Sequence, residues 1–188
     1  MNLRTFLRSA LFLGLVTFAA SGCSTLAPQS FANATPAFEP DKFFEGPVRS
    51  WGVMERRSGN PVSRFRTEVM GTRDGADLVL TQHFFFEDGR TQQREWRIHR
   101  VDQHRYEATA NDVAGVAAGE AYGNAFHWVY TLKTKPGNPL FNVQMNHWMY
   151  LQADGSMINR VQVTKLGVRL QQITEYFRKG TEPVAAIK

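Results

Sequence analysis

The stretch Ala76-Asp-Leu-Val-Leu-Thr-Gln-His-Phe-Phe-Phe86, Glu87-Asp88-Gly89, Arg90-Thr-Gln-Gln-Arg94-Glu-Trp96-Arg-Ile98-His-Arg100 decides the fold. Two strand-like runs of β-branched and aromatic residues flank a short turn. Asp-Gly supplies the left-handed backbone that a tight hairpin needs. In Arg90–Arg100, Gln92, Arg94, Trp96, Ile98 and Arg100 share one face, opposite Thr91, Gln93, Glu95, Arg97 and His99. This is the period of two of a half-buried strand, and the Trp96/Ile98 face is expected to turn inward. Asp-Gly recurs at 74–75 and 154–155, again between strand-like runs.

Working outward, further runs occur at Val48–Arg56, Val62–Met70, His104–Ala110, Ala125–Lys133, Phe141–Leu151, Met157–Lys165 and Val168–Arg178. Val113–Tyr122, rich in Gly and Ala, is ambiguous; with it the count is about ten strands. Only Asp102–Ala118 competes as a helix, and Gly115 with β-branched Val113 and Val116 weakens that reading. A row of hairpins must bury one face and hide its edges, and closure does both. The expectation is an all-β fold: a single antiparallel up-and-down β-barrel, lipocalin/calycin-like, over residues 42–188. An open sandwich is the rival, and strands as long as Ala76–Phe86 favour the barrel. About eight strands or more leave an interior able to hold one small ligand.

Facing positions supply the candidate binding residues. Phe126, Trp128 and Tyr130 line up with Leu132 on one face of Ala125–Lys133, where they either line a cavity or pack a core. His147 interrupts the apolar face of Phe141–Leu151. Asn159 lies with Met157, Val161 and Val163, and Arg160 lies opposite. Arg94, on the Trp96 face, needs an internal carboxylate or an anionic ligand, because a buried guanidinium is costly unless paired; Asp112 and Glu120 are available. Asp112, Asn124 and His127 complete the polar candidates.

The first 23 residues carry an address. Arg4 and Arg8 precede an apolar run from Ala10 to Ala20, then Ser21-Gly22-Cys23. The run is too short for a bilayer-spanning helix, which needs roughly 20 residues. Residues 1–22 therefore read as a signal peptide. Ala20-Ser21-Gly22-Cys23 resembles a bacterial lipobox, which implies lipidation at Cys23. Ser24, in place of an aspartate, implies an outer-membrane anchor facing the periplasm. Residues 23–41, rich in Ser, Thr, Ala and Pro, read as a flexible tether. Removing the leader leaves 166 of 188 residues and lowers the formal charge from +5 to +3. No long basic cluster remains, so nucleic acid is not an expected partner. Cys23 is the only cysteine, so no internal disulfide can form.

Motifs of catalysis are sparse. The histidines at 83, 99, 104, 127 and 147 form no metal-ligand spacing, and there is no GxSxG elbow or phosphate-binding glycine loop. No catalytic residue, metal or cofactor is assigned. His127 or His147 with a nearby acidic residue is the one acid–base arrangement to weigh.

Several motifs in order resemble the DUF3833 family, proteobacterial lipoproteins of unknown function. They include Phe44-Glu-Gly46 with Trp51-Gly52, Arg94 with Trp96, Asn111-Asp112-Val-Ala-Gly115, Trp148-Met-Tyr150, Asn159-Arg160 and Lys165-Leu-Gly-Val168. The resemblance covers about Phe43 to Lys179 and implies a lipocalin-like shape but no activity. Asn146-His147 stands where family members tend to carry acidic residues. The leading expectation is a module binding a small apolar or amphipathic, lipid-like molecule. The alternative is an envelope structural or interaction protein, with Trp148 and Tyr150 as a surface for a protein partner. An enzyme is the third.

Overall fold

The computed structural model describes residues 26–180. Ten strands follow in order: β1 (Gly46–Arg56), β2 (Pro61–Asp74), β3 (Asp77–Phe86), β4 (Thr91–Arg100), β5 (Arg105–Ala110), β6 (Val113–Tyr122), β7 (Ala125–Leu132), β8 (Val143–Leu151), β9 (Met157–Lys165) and β10 (Val168–Lys179). Each pairs antiparallel with its sequence neighbours. β1 also pairs with β10, from Val48 opposite Lys179 to Arg56 opposite Gln171, so the sheet closes into a barrel with no free edge. The open sandwich is thereby excluded, and the segment that competed as a helix is β5, a turn and most of β6.

Alternation sets the wall. On β4, Arg94, Trp96 and Ile98 are buried while Glu95, Arg97 and His99 are exposed. Outward positions at mid-strand include Glu68, Arg97 and Glu107, charges that a lipid-facing band would not tolerate at depth. The Asp-Gly turns form as expected, with Gly75, Gly89 and Gly155 at positive φ. The ambiguous Gly/Ala piece is β6, and a register shift between Ala114 and Ala118 marks a bulge that leaves Gly115 and Val116 exposed. Gly119 then faces Trp128 across the pair; a Cβ there would overlap the rings of Trp128 and Phe126.

The two ends of the barrel differ. At one, a helical turn, Pro40–Phe43, delivers Phe38, Phe43 and Phe44 into the core. Their rings meet edge to face, Phe43 with Phe44 at 5.0 Å and Phe44 with Phe177 at 5.8 Å, and form a floor. Asp41 is buried beneath it, bonded to Arg73 at 3.0 Å. This corrects the expected tether over residues 28–41: from Pro28 onward the chain packs against the barrel. A short 3-10 helix, Pro28–Phe31, touches β6 and β7. Phe38 N–H donates to the Gly123 carbonyl at 2.7 Å, and Phe31 covers Trp148 and Tyr150 at 5.8 and 5.7 Å. Phe141 is also reassigned, from β8 to a 3-10 turn, Pro139–Phe141, ahead of it. The leader and Cys23 lie outside the described residues.

Candidate functional site

Above the floor the interior is hollow. A cavity of about 470 Å³ is walled by residues such as Phe44, Phe65, Trp96, Trp128, Met145 and Val161. Its other end is bounded by Arg56, Phe86, Gln92, Thr134 and Leu170, beside the β1–β2, β3–β4, β7–β8 and β9–β10 turns. That end is the mouth. The expected aromatic row does line the wall: Trp96 meets Tyr130 at 5.1 Å and Trp128 at 5.8 Å, and Phe126 meets Trp128 at 5.2 Å.

One belt of polar side chains crosses this apolar wall. It follows neighbouring strands from β2 through β1, β10, β9 and β8 to β7, then crosses the interior to β4. The Thr67 and Ser50 hydroxyls lie 2.5 Å apart, and Ser50 donates to Glu175 Oε1. Asn159 Nδ2 donates to Glu175 Oε2 at 3.4 Å and to His147 Nδ1 at 3.2 Å. Because His147 accepts at Nδ1, its ring proton sits on Nε2 and is donated to the Tyr130 hydroxyl at 3.1 Å. Arg94 Nη1 donates to the same hydroxyl oxygen at 3.3 Å. The Tyr130 hydroxyl thus accepts twice, and its own proton has no acceptor among the described residues. Asn159 Oδ1 is likewise buried without a hydrogen-bond partner.

Arg94 ends the belt in a bidentate pair. Its Nε and Nη2 each reach Asp112 at 2.8 Å, with a further Nε contact at 2.9 Å. Burial opposes the charge on Arg94, and the Tyr130 hydroxyl and the Asp112 carboxylate more than offset it. Of the two carboxylates available in sequence, Asp112 takes the role; Glu120 faces outward and accepts from Gln29. Elsewhere in the belt burial suppresses charge. It holds His147 down at about 3, with the Arg94 cation adding to the effect. Burial pushes Glu175 up to about 7 against the bonds from Ser50 and Asn159.

The cavity therefore gathers Arg94, Trp96, Phe126, Trp128, Tyr130, His147 and Asn159 from the sequence candidates. Asp112 joins them through Arg94. Two candidates lie elsewhere. Arg160 is exposed, because the apolar majority of β9 places Asn159 inside and its neighbour outside. Asn124 sits in the β6–β7 turn at the floor end and donates to the Leu151 carbonyl at 3.2 Å. Glu175, Ser50 and Thr67 were not among the candidates. The signal for Glu175 is the face it shares with Ile173 and Phe177. Ser50 is a small polar residue on a face with Val48 and Met54, which seldom marks a site by itself.

The acid–base pairing weighed in sequence is not formed. His127 lies outside, stacked on Trp148 at 4.3 Å and bonded to Asn146 at 3.0 Å. His147 reaches Glu175 only through the Asn159 amide. Among the described residues no group of three His, Cys, Asp or Glu converges on a metal-sized site.

Among solved structures the chain is similar to the S-type phycobiliprotein lyase CPES from Guillardia theta. Identity is 6% and the TM-score 0.57, over 76% of this chain and 92% of that one. At that identity the likeness shows a shared barrel fold alone. No curated protein matches the sequence. A family model described as "Protein of unknown function (DUF3833)" matches residues 17–179.

Proposed function

The chain belongs to the DUF3833 family, and from the interior of its barrel we propose that it binds one small apolar or amphipathic molecule. The observation that carries this reading is the cavity of about 470 Å³, floored by Phe44 and walled by aromatic and aliphatic side chains, with one belt of polar groups. That is the size and composition of a small-molecule site. A core meant only for stability gains nothing from such a void, since unfilled volume costs packing energy.

The belt narrows the chemistry of the ligand. Arg94 is already neutralised by Asp112, so it does not call for an anionic headgroup. His147 is neutral, and Glu175 is half-protonated near neutral pH. The unspent groups are the Tyr130 proton and Asn159 Oδ1. They suit an uncharged hydroxyl, ester or amide on a largely hydrocarbon molecule. The leader and lipobox support placing the protein, acylated at Cys23, on the periplasmic face of the outer membrane. The interaction-surface reading is weakened because Phe31 already covers Trp148 and Tyr150.

The test is to purify the chain, extract it with organic solvent and identify what co-purifies by mass spectrometry, beside titration with cis-parinaric acid. Val161→Phe, directed at the wall, should reduce both the co-purifying molecule and the probe fluorescence. A barrel that carries nothing and takes up no probe would sink the proposal.

A further inference from the structure

The rim of the mouth is apolar and cationic on one side. Leu140 and Phe141 on the β7–β8 connection, Leu166, Val168 and Leu170 at the β9–β10 turn, and Val62 at the start of β2 are all exposed. These three hairpins are contiguous. Lys165 Nζ donates to the Leu140 carbonyl, and Arg57 N–H donates to the Leu170 carbonyl at 3.2 Å. Half of the twelve large apolar side chains exposed among the described residues lie here, so the patch is a concentration and not background.

Leu166 is the most informative of them. It is 95% exposed and occupies the first position of a two-residue turn with φ +49, followed by Gly167 at φ +77. Such a turn is served best by Asn-Gly. A leucine there is disfavoured by its backbone and by its hydration, and it contributes nothing to the core. The fold gives no reason for it.

Cations surround these side chains. Arg56, Arg57, Lys135, Lys165 and Arg169 lie on the same three hairpins, and none forms an ion pair with a carboxylate among the described residues. Lys135 and Lys165 sit over the Phe141 ring at 5.1 and 5.5 Å. On the far side of the mouth, by contrast, Arg64 and Arg90 are paired with Glu87 and Asp88. Projecting apolar tips set among unpaired cations are complementary to a bilayer surface: the tips enter the acyl boundary and the cations meet anionic headgroups.

We propose that this rim docks the mouth of the barrel onto an anionic phospholipid surface, with Leu140, Phe141 and Leu166 inserted and Lys135 and Lys165 at headgroup level. Docking so would place the cavity opening against the membrane, where an amphipathic molecule could pass between the two without crossing water. The contact itself does not depend on whether the cavity is occupied, so its failure would leave the ligand reading standing.

The experiment uses the full chain carrying Cys23→Ser and Leu166→Cys, labelled at 166 with an environment-sensitive fluorophore. A second chain, labelled through Met70→Cys on the outer wall towards the floor, serves as control. With vesicles of phosphatidylcholine and phosphatidylglycerol, the label at 166 should brighten several-fold and resist iodide quenching, while the label at 70 does neither. Leu140→Ser should raise the vesicle concentration needed about tenfold, and Lys135→Gln with Lys165→Gln should reduce the preference for phosphatidylglycerol at least several-fold. A label at 166 that stays open to iodide on vesicles overturns the proposal. So does one already protected in a dimer without lipid, which would assign the face to a second copy of this chain.

Discussion

Replacing Glu175 by Gln should change how stability depends on pH, because the two buried titratable groups of the belt act in opposite senses. Glu175 has its pKa raised from 4.5 to about 7 by burial. The folded state therefore holds a proton that the unfolded chain releases, and the stability it confers is complete below pH 4.5 and lost as pH rises through about 7. His147 has its pKa lowered from 6.5 to about 3 by burial. Its stability is complete above pH 6.5 and lost as pH falls through about 3. Between pH 4.5 and 6.5 the folded state holds one extra proton at Glu175 and lacks one at His147, so the two slopes cancel. Glu175→Gln removes one slope and uncovers the other. The shift of Glu175 from 4.5 to about 7 corresponds to about 3 kcal/mol. The stability of the variant relative to the parent should thus improve by about 3 kcal/mol between pH 4.5 and pH 8. Urea unfolding of both chains across this range measures it directly. If the two stability curves run parallel from pH 4.5 to 8, Glu175 is not a buried, proton-holding group and the account of the belt fails.

Asp112→Ala leaves Arg94 buried and uncompensated and should cost about 3 kcal/mol in urea unfolding; adding Arg94→Met should restore most of it. Phe44→Ala removes the floor ring that meets Phe43 and Phe177, and should cost about 3 kcal/mol and release whatever molecule co-purifies. Gly71→Ala puts a Cβ onto the Phe44 carbonyl oxygen. Because backbone must move, thermal unfolding should report a loss of about 2 kcal/mol.

Much of the barrel is readable because its signals are local. Period-two alternation on β4 assigns Trp96 and Ile98 to the core, and Arg94 follows as a matter of geometry. Asp-Gly marks three turns by the backbone conformation it permits. What the local pattern does not hold is distance. The stretch from Pro28 to Asp41 reads as a tether from its own composition, yet it docks because Gly123 and Gly71, far along the chain, leave room for the Phe31 and Phe44 carbonyls. Alternation also groups residues on a face without ranking their chemistry. Asn159 and Arg160 are separated only by the apolar majority of β9, and Glu175 obeys the same rule between Ile173 and Phe177. The polar belt joins seven strands through one side chain each. No single segment of sequence contains enough of it to announce it.

The floor has a directional consequence. The chain reaches it from Phe31, strapped against Gly123, so the N-terminal approach and the mouth lie at opposite poles of the barrel. Only Ser24 and Thr25 separate Cys23 from Leu26, a reach of about 10 Å at most. An acyl anchor at Cys23 would hold the blind end down and aim the opening outward, by about the height of a ten-residue strand, roughly 25 Å once tilted. The anionic surface proposed for the rim would then be one other than the membrane that carries the anchor. Such a protein would have a front and a back, and an anchor at Cys23 would be tied to the back.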